Sequence, residues 1–156
     1  MNEEAKKVHI PMPVQMIETL RIECPDARKA FDLQLGMNPR GGYARVTECA
    51  GDRKTSLVVP GEALEPMADI FKRWALIERP QLRSAQPIEE ELLNCEDYRK
   101  SFEMALISNK WGMCARITEH AQGGRKSVVF IPSDKLEEMA TTFVSWSTSL
   151  FSTAQV

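Results

Sequence analysis

Residues 28–35 read Arg28-Lys29-Ala30-Phe31-Asp32-Leu33-Gln34-Leu35, and residues 99–106 read Arg99-Lys100-Ser101-Phe102-Glu103-Met104-Ala105-Leu106. Shifted by 71 residues, the second stretch keeps the basic pair, the Phe, the acid after it and the closing Leu. The match extends outward on both sides. Upstream, Cys24 meets Cys95 and Asp26 meets Asp97. Downstream, Asn38 meets Asn109, Gly41 meets Gly112, and Ala44-Arg45-Val46-Thr47-Glu48 meets Ala115-Arg116-Ile117-Thr118-Glu119. One residue inserted in the next turn moves the shift to 72, after which Arg53-Lys54 meets Arg125-Lys126 and Pro60 meets Pro132. The register then carries Leu64, Met67, Ala68, Phe71 and Trp74 onto Leu136, Met139, Ala140, Phe143 and Trp146. The chain is an internal duplication, so its fold is one supersecondary unit built twice.

Within each copy the hydrophobic period changes once. Phe31, Leu33 and Leu35 alternate with polar or small neighbours, the period of a strand with one buried face. Asn38-Pro39-Arg40-Gly41-Gly42 is a turn, because Pro and paired Gly do not sit well inside a strand. Tyr43 to Cys49 and Thr55 to Val59 read as further strands, with Ala50 to Arg53 turning between them. Glu18 to Glu23 and Glu90 to Asn94 supply a short strand ahead of each block. After Pro60 the period becomes helical: Leu64, Met67, Ala68, Phe71 and Trp74 form one apolar stripe. The second copy repeats the pattern. The expected class is therefore α+β, two tandem ββββα repeats. Each helix covers one face of an antiparallel sheet and leaves the other face open. Units of this size are marginal alone, so the two are expected to pack helix against helix as one domain. The divisions are a tail over 1–13, repeat I over 14–78, a linker over 79–87, repeat II over 88–150 and a tail over 151–156.

Composition narrows the function. Twenty Lys plus Arg against 22 Asp plus Glu give a formal net charge of -2, not the strong positive field of a protein held to nucleic acid by charge alone. The longest apolar runs, such as Ser127 to Ile131, are too short to span a bilayer, and the acidic N-terminus lacks the apolar core of a signal peptide. No membrane association is expected, and the location is nuclear, cytoplasmic or both. Cys24, Cys49, Cys95 and Cys114 form no C-x-x-C pair, and His9 and His120 lie far apart, so no metal site is expected and the thiols read as reduced. No Ser-His-Asp, Cys-His or clustered carboxylate set is evident, and no glycine-rich loop opens a helix. The chain does not read as an enzyme and calls for no cofactor.

Order and spacing, seen twice, carry a more specific signal. Phe31-Asp32-Leu33-Gln34-Leu35 and Phe102-Glu103-Met104-Ala105-Leu106 are strands of aromatic-x-apolar-x-apolar type. Each leads into an Asn-x-x-Gly turn, Asn38-Pro39-Arg40-Gly41 or Asn109-Lys110-Trp111-Gly112. Tyr43-Ala44-Arg45-Val46 or Cys114-Ala115-Arg116-Ile117 follows, and the last strand ends at Pro60 or Pro132 before a helix bearing Phe71 or Phe143. From about residue 16 to 150 the chain resembles the PUR-repeat (Pur-alpha) family of single-stranded DNA- and RNA-binding proteins.

The resemblance implies two repeats intertwined into one whirly-like PUR domain. It also implies a nucleic-acid-binding surface on the exposed sheet face and turns: Asn38, Arg40, Tyr43 and Arg45 in repeat I, and Asn109, Lys110, Trp111 and Arg116 in repeat II. Tyr43 stands at the family's stacking position. Repeat II departs from the family there, with Cys114 for the aromatic, Ile107 for a basic residue and Trp111 for an Arg. Its open face also gathers Ile107, Cys114, Val128 and Phe130, an apolar patch on a face expected to be wet. Two functions follow. One is single-stranded DNA or RNA binding. The other is a PUR-type scaffold whose repeat II face docks a protein or a second copy of the chain.

Overall fold

A computed structural model of the protein describes residues 15–78, 86–110 and 112–154. The alternating stretches become strands β1 (Gln15–Cys24), β2 (Lys29–Asn38), β3 (Gly41–Ala50) and β4 (Arg53–Pro60), and the helical stripe becomes α1 (Gly61–Ala75). The second half repeats this as β5 (Glu89–Cys95), β6 (Lys100–Asn109), β7 (Gly112–His120), β8 (Lys126–Pro132) and α2 (Leu136–Ala154). The fold is α+β: two four-stranded antiparallel sheets, β1-β2-β3-β4 and β5-β6-β7-β8, each followed by a helix. Helix α2 continues through Ala154, past the end at residue 150 expected for repeat II. Of the expected linker, residues 79–85 lie outside the described residues, as do the residues before 15.

Two local signals set the strand joints. Short 3-10 turns, Pro25–Ala27 and Glu96–Tyr98, connect the first two strands of each sheet. Each is closed by a left-handed Arg, Arg28 at φ 56° and Arg99 at φ 54°. At the next joint the expected five-residue turn shrinks to the pair Pro39-Arg40, with Asn38 opposite Gly41. Gly41 has φ 122°, a conformation that a side chain rarely tolerates. Asn38 tightens this hairpin, its Oδ1 accepting the Arg40 N–H at 2.9 Å.

The strand faces read as alternating are buried as expected. Phe31, Leu33, Leu35, Ala44, Val46, Leu57 and Val59 lie inside, with Phe102, Met104, Leu106, Ala115, Ile117, Val129 and Ile131 as their counterparts. Both helix stripes are buried over their full length, and Phe71 meets Phe143 with ring centroids 5.7 Å apart. Each such side chain contributes on the order of 1.5–3 kcal/mol by leaving water. All belong to one continuous core.

Contacts also cross between halves in matched pairs. Trp74 Nε1 on α1 donates to Glu89 Oε1 on β5 at 3.1 Å, and Trp146 Nε1 on α2 donates to Glu18 Oε2 on β1. Each helix thus fastens to the first strand of the opposite half. Edge strands β4 and β8 approach one another, and Lys side chains bridge them to the facing sheet. Lys29 Nζ donates to the Phe130 carbonyl at 2.6 Å and pairs with Glu48 at 2.5 Å. Lys100 Nζ donates to the Val58 carbonyl at 3.0 Å and pairs with Glu119 at 2.7 Å.

Candidate nucleic-acid interface

The helices cover one face of each sheet; the opposite faces are built by the alternate residues. Across the first sheet one open row runs Thr19, Gln34, Arg45 and Val58, and the next runs Met16, Gly36, Tyr43 and Pro60. Across the second sheet the corresponding rows are Glu90, Ala105, Arg116 and Phe130, then Ile107, Cys114 and Pro132. Arg45 and Arg116 therefore occupy the same place, the third strand near the middle of each face. Arg45 is exposed and Arg116 half-buried, and neither guanidinium is held in an ion pair among the described residues.

Around these two cations the faces are mixed in charge. Arg21 is committed to two acids, with Glu23 at 2.8 Å and Asp32 at 2.7 Å. Asp32 also accepts from the Cys49 thiol at 3.4 Å. Thr47 and Ser56 hydroxyls bond one another at 2.8 Å. Burial pushes the Cys49 and Cys114 thiols above their ordinary range, and the carboxylate of Asp32 adds to the effect at Cys49. Both therefore remain neutral at physiological pH. Among the described residues no group of three His, Cys, Asp or Glu side chains converges to hold a metal ion.

The expected site residues share the expected faces but differ in how far they reach solvent. Tyr43, expected as an exposed stacking ring, is 8% exposed. Its ring lies over Gly36, so close that a Cβ on Gly36 would sit 2.6 Å from the phenol. Alternation put Tyr43 on the correct face, but the bare backbone of Gly36 let the ring collapse onto the sheet. Arg40 is exposed at the hairpin tip, its carbonyl accepting the Tyr98 hydroxyl at 3.1 Å. In the second half Asn109 is half-buried and Lys110 exposed; Trp111 lies outside the described residues. Of the apolar set, Ile107, Cys114 and Val128 are half-buried, and Phe130 is 38% exposed.

Two features were missed in the sequence. Leu92, 56% exposed, adds to the open face of the second sheet. A cavity of about 920 Å³ lies where the turn Pro25–Ala27 of the first half meets the Asn109–Cys114 hairpin, Phe130 and Pro132–Lys135 of the second. A signal for it was present: the duplication pairs Tyr98 with Ala27 and Tyr43 with Cys114, two large side chains against two small ones.

No family model matches the chain. Among curated proteins the chain is similar to one from Arabidopsis thaliana named transcription factor Pur-alpha 1, with 23% identity over 116 residues, or 74% of this chain. The chain spans 35% of that protein's length. The likeness points to a PUR-like relationship, and the two sheet-and-helix halves are compatible with PUR-like repeats. No described helix is long and apolar enough to cross a membrane.

Proposed function

We propose that this protein binds single-stranded nucleic acid, DNA or RNA, on the open sheet faces and hairpin ends of an intertwined two-repeat PUR domain. The observation that carries this reading is the pair Arg45 and Arg116, set at the same register position of the two open faces with no acidic partner among the described residues. Asn38, Arg40, Asn109, Lys110 and Trp111 complete the candidate surface, which Tyr43, packed over Gly36, borders without presenting an open ring. Cations there follow the phosphates, while aromatic and amide groups meet the bases. The crossing Trp–Glu pairs support the intertwined arrangement, and the name of the Arabidopsis relative supports a nucleic-acid role; a place in the nucleus, the cytoplasm or both belongs to the same proposal. Nothing in the proposed binding involves chemical catalysis.

The test is a salt titration of binding to labelled single-stranded DNA and RNA. Affinity is expected to fall log-linearly with salt, and Arg45→Ala with Arg116→Ala to flatten that slope. Binding that ignores both substitutions removes these arginines from the site.

A second reading rests on Phe130 and its neighbour Val128: the second open face docks another copy of the chain. A dimer in sedimentation that Phe130→Glu dissolves would support it; a monomer at all concentrations removes it.

A further inference from the structure

The duplication builds two related places, each where the 3-10 turn of one half meets the hairpin end of the other. In one of them three side chains fill the space. Tyr98 reaches from its turn to the Arg40 carbonyl at 3.1 Å, and Tyr43 lies over Gly36. Leu150 packs so tightly over Gly42 and Gly61 that an added Cβ would approach it to 2.3 Å and 2.9 Å. What remains nearby is a cavity of about 340 Å³ whose lining includes Glu62, Glu96 and Asp97 and no basic side chain.

In the other place Ala27 and Cys114 stand for the two tyrosines, α1 ends at Ala75 short of a counterpart to Leu150, and the space stays open at about 920 Å³. Its backbone is pinned as in the filled place, because Lys29 holds the Phe130 carbonyl just as Lys100 holds that of Val58. The side chains differ. Phe130 stands where the first half has Val58, and it is 38% exposed on the cavity wall. Arg28, Lys29 and Lys135 line the cavity beside Asp26 and Asp134; Lys29 is paired with Glu48, and Lys135 lies 3.7 Å from Glu138 at the surface. Arg116 is the direct cross-strand partner of Phe130. The ring absent at Cys114 on the third strand is thus matched by one on the fourth, facing an open space that Arg28 and Lys135 border. At the filled place Arg99 and Lys100 recur, but Tyr98, Tyr43 and Leu150 occupy the space that a base would need and leave no open ring.

We infer that a bound single strand inserts one unstacked base into this cavity, where it stacks on Phe130 while Arg28, Lys135 and Arg116 face the flanking phosphates. The inference rests on the nucleic-acid reading and narrows it: each chain has one base-holding place, in the second half, despite its two-fold repeat. Aromatic stacking is sequence-tolerant, so the cavity selects an unpaired base rather than a particular one.

The experiment measures fluorescence anisotropy with a labelled single strand of roughly 12 nucleotides against the full chain and four variants. Phe130→Ala is expected to weaken binding by roughly five- to a hundred-fold, and Phe130→Trp to restore it. Ala27→Tyr, which rebuilds the plug of the filled place, is expected to weaken binding with Phe130 left intact. Leu76→Ala, at the exposed end of α1, is expected to bind as the parent does. Parent binding that survives both Phe130→Ala and Ala27→Tyr within two-fold overturns the cavity assignment and leaves the broader reading standing. Unchanged oligonucleotide affinity together with a dimer broken by Phe130→Ala gives the ring to a second copy and also overturns it. No binding by the parent chain removes the nucleic-acid reading itself, and this inference with it.

Discussion

The ring of Tyr43 lies over the bare backbone of Gly36, its direct cross-strand partner, whereas the same two positions in the second sheet hold Cys114 and Ile107. Volume has moved from one strand to the other. A large ring over no side chain in one sheet corresponds to a branched side chain beside a small thiol in the other.

Gly36→Ala should therefore be destabilising by about 1–3 kcal/mol, despite the entropy an alanine removes from the unfolded chain, because its methyl meets the ring. In a Gly36→Ala, Tyr43→Cys double variant the two losses should be less than additive. Urea denaturation of the cycle measures the coupling, and strict additivity would show that the ring does not rest on Gly36.

The bridging lysines make a second, paired expectation. Lys29 and Glu48 are each 13% exposed, and Lys100 and Glu119 are 16% and 10% exposed. Lys29→Met or Lys100→Met leaves a largely buried carboxylate unpaired and unties one sheet edge, at a cost of about 2–4 kcal/mol each. The two variants should lose stability to a similar extent. A loss confined to one would mean that the edges are held unequally.

The crossing contacts imply that half the chain is not a domain. Trp74 and Phe71 are fully buried, and the partners crossing to them come from the other half. A fragment ending at residue 78 should show strand and helix signals without a cooperative melt, and should bind a hydrophobic dye. A sharp two-state transition in that fragment would contradict the shared core.

Alkaline pH should unfold the protein early. Desolvation raises the Cys24, Cys95 and Cys114 thiols above their ordinary value of 9.0 and the Tyr98 phenol above 10.0. A group raised in the folded state stays protonated there after its unfolded form has ionised. The stability it contributes is complete below the unfolded value and is lost as pH rises through the folded one. Melting temperature should thus hold at about pH 8 and decline steadily from about pH 9 upward. Serine replacements at the buried cysteines should soften that decline.

On the binding side, each arginine removed from a phosphate should lower the salt slope by about 0.7 for a single strand. Arg45→Ala and Arg116→Ala together should lower it by about twice that. A changed affinity at unchanged slope would assign these side chains to bases instead.

Much of this architecture was legible because duplication prints the core twice. Phe31 with Phe102 and Trp74 with Trp146 recur where a buried ring is needed, and the switch from period two to helical spacing marks the elements. Periodicity also tells which face a residue takes, and it put Tyr43 and Arg45 side by side correctly. It does not tell what lies beneath a side chain, and so the collapse of Tyr43 onto Gly36 was invisible. Nor does it say which half a helix fastens to: nothing in the pattern marks Glu89 and Glu18 as the acceptors of the two Trp N–H groups. The cavity was hidden for the same reason. It arises from small side chains at Ala27 and Cys114: the register shows that they are small, but not that the two positions border one space.

The exchanged Trp–Glu bonds bear on how such a chain could arise. A lone copy whose helix must grip another copy's first strand is by construction half of a symmetric two-fold dimer. Joining two copies made that partner permanent and ended the requirement that both be identical. One half could keep its plugged junction while the other emptied, something no homodimer of a single gene product can do.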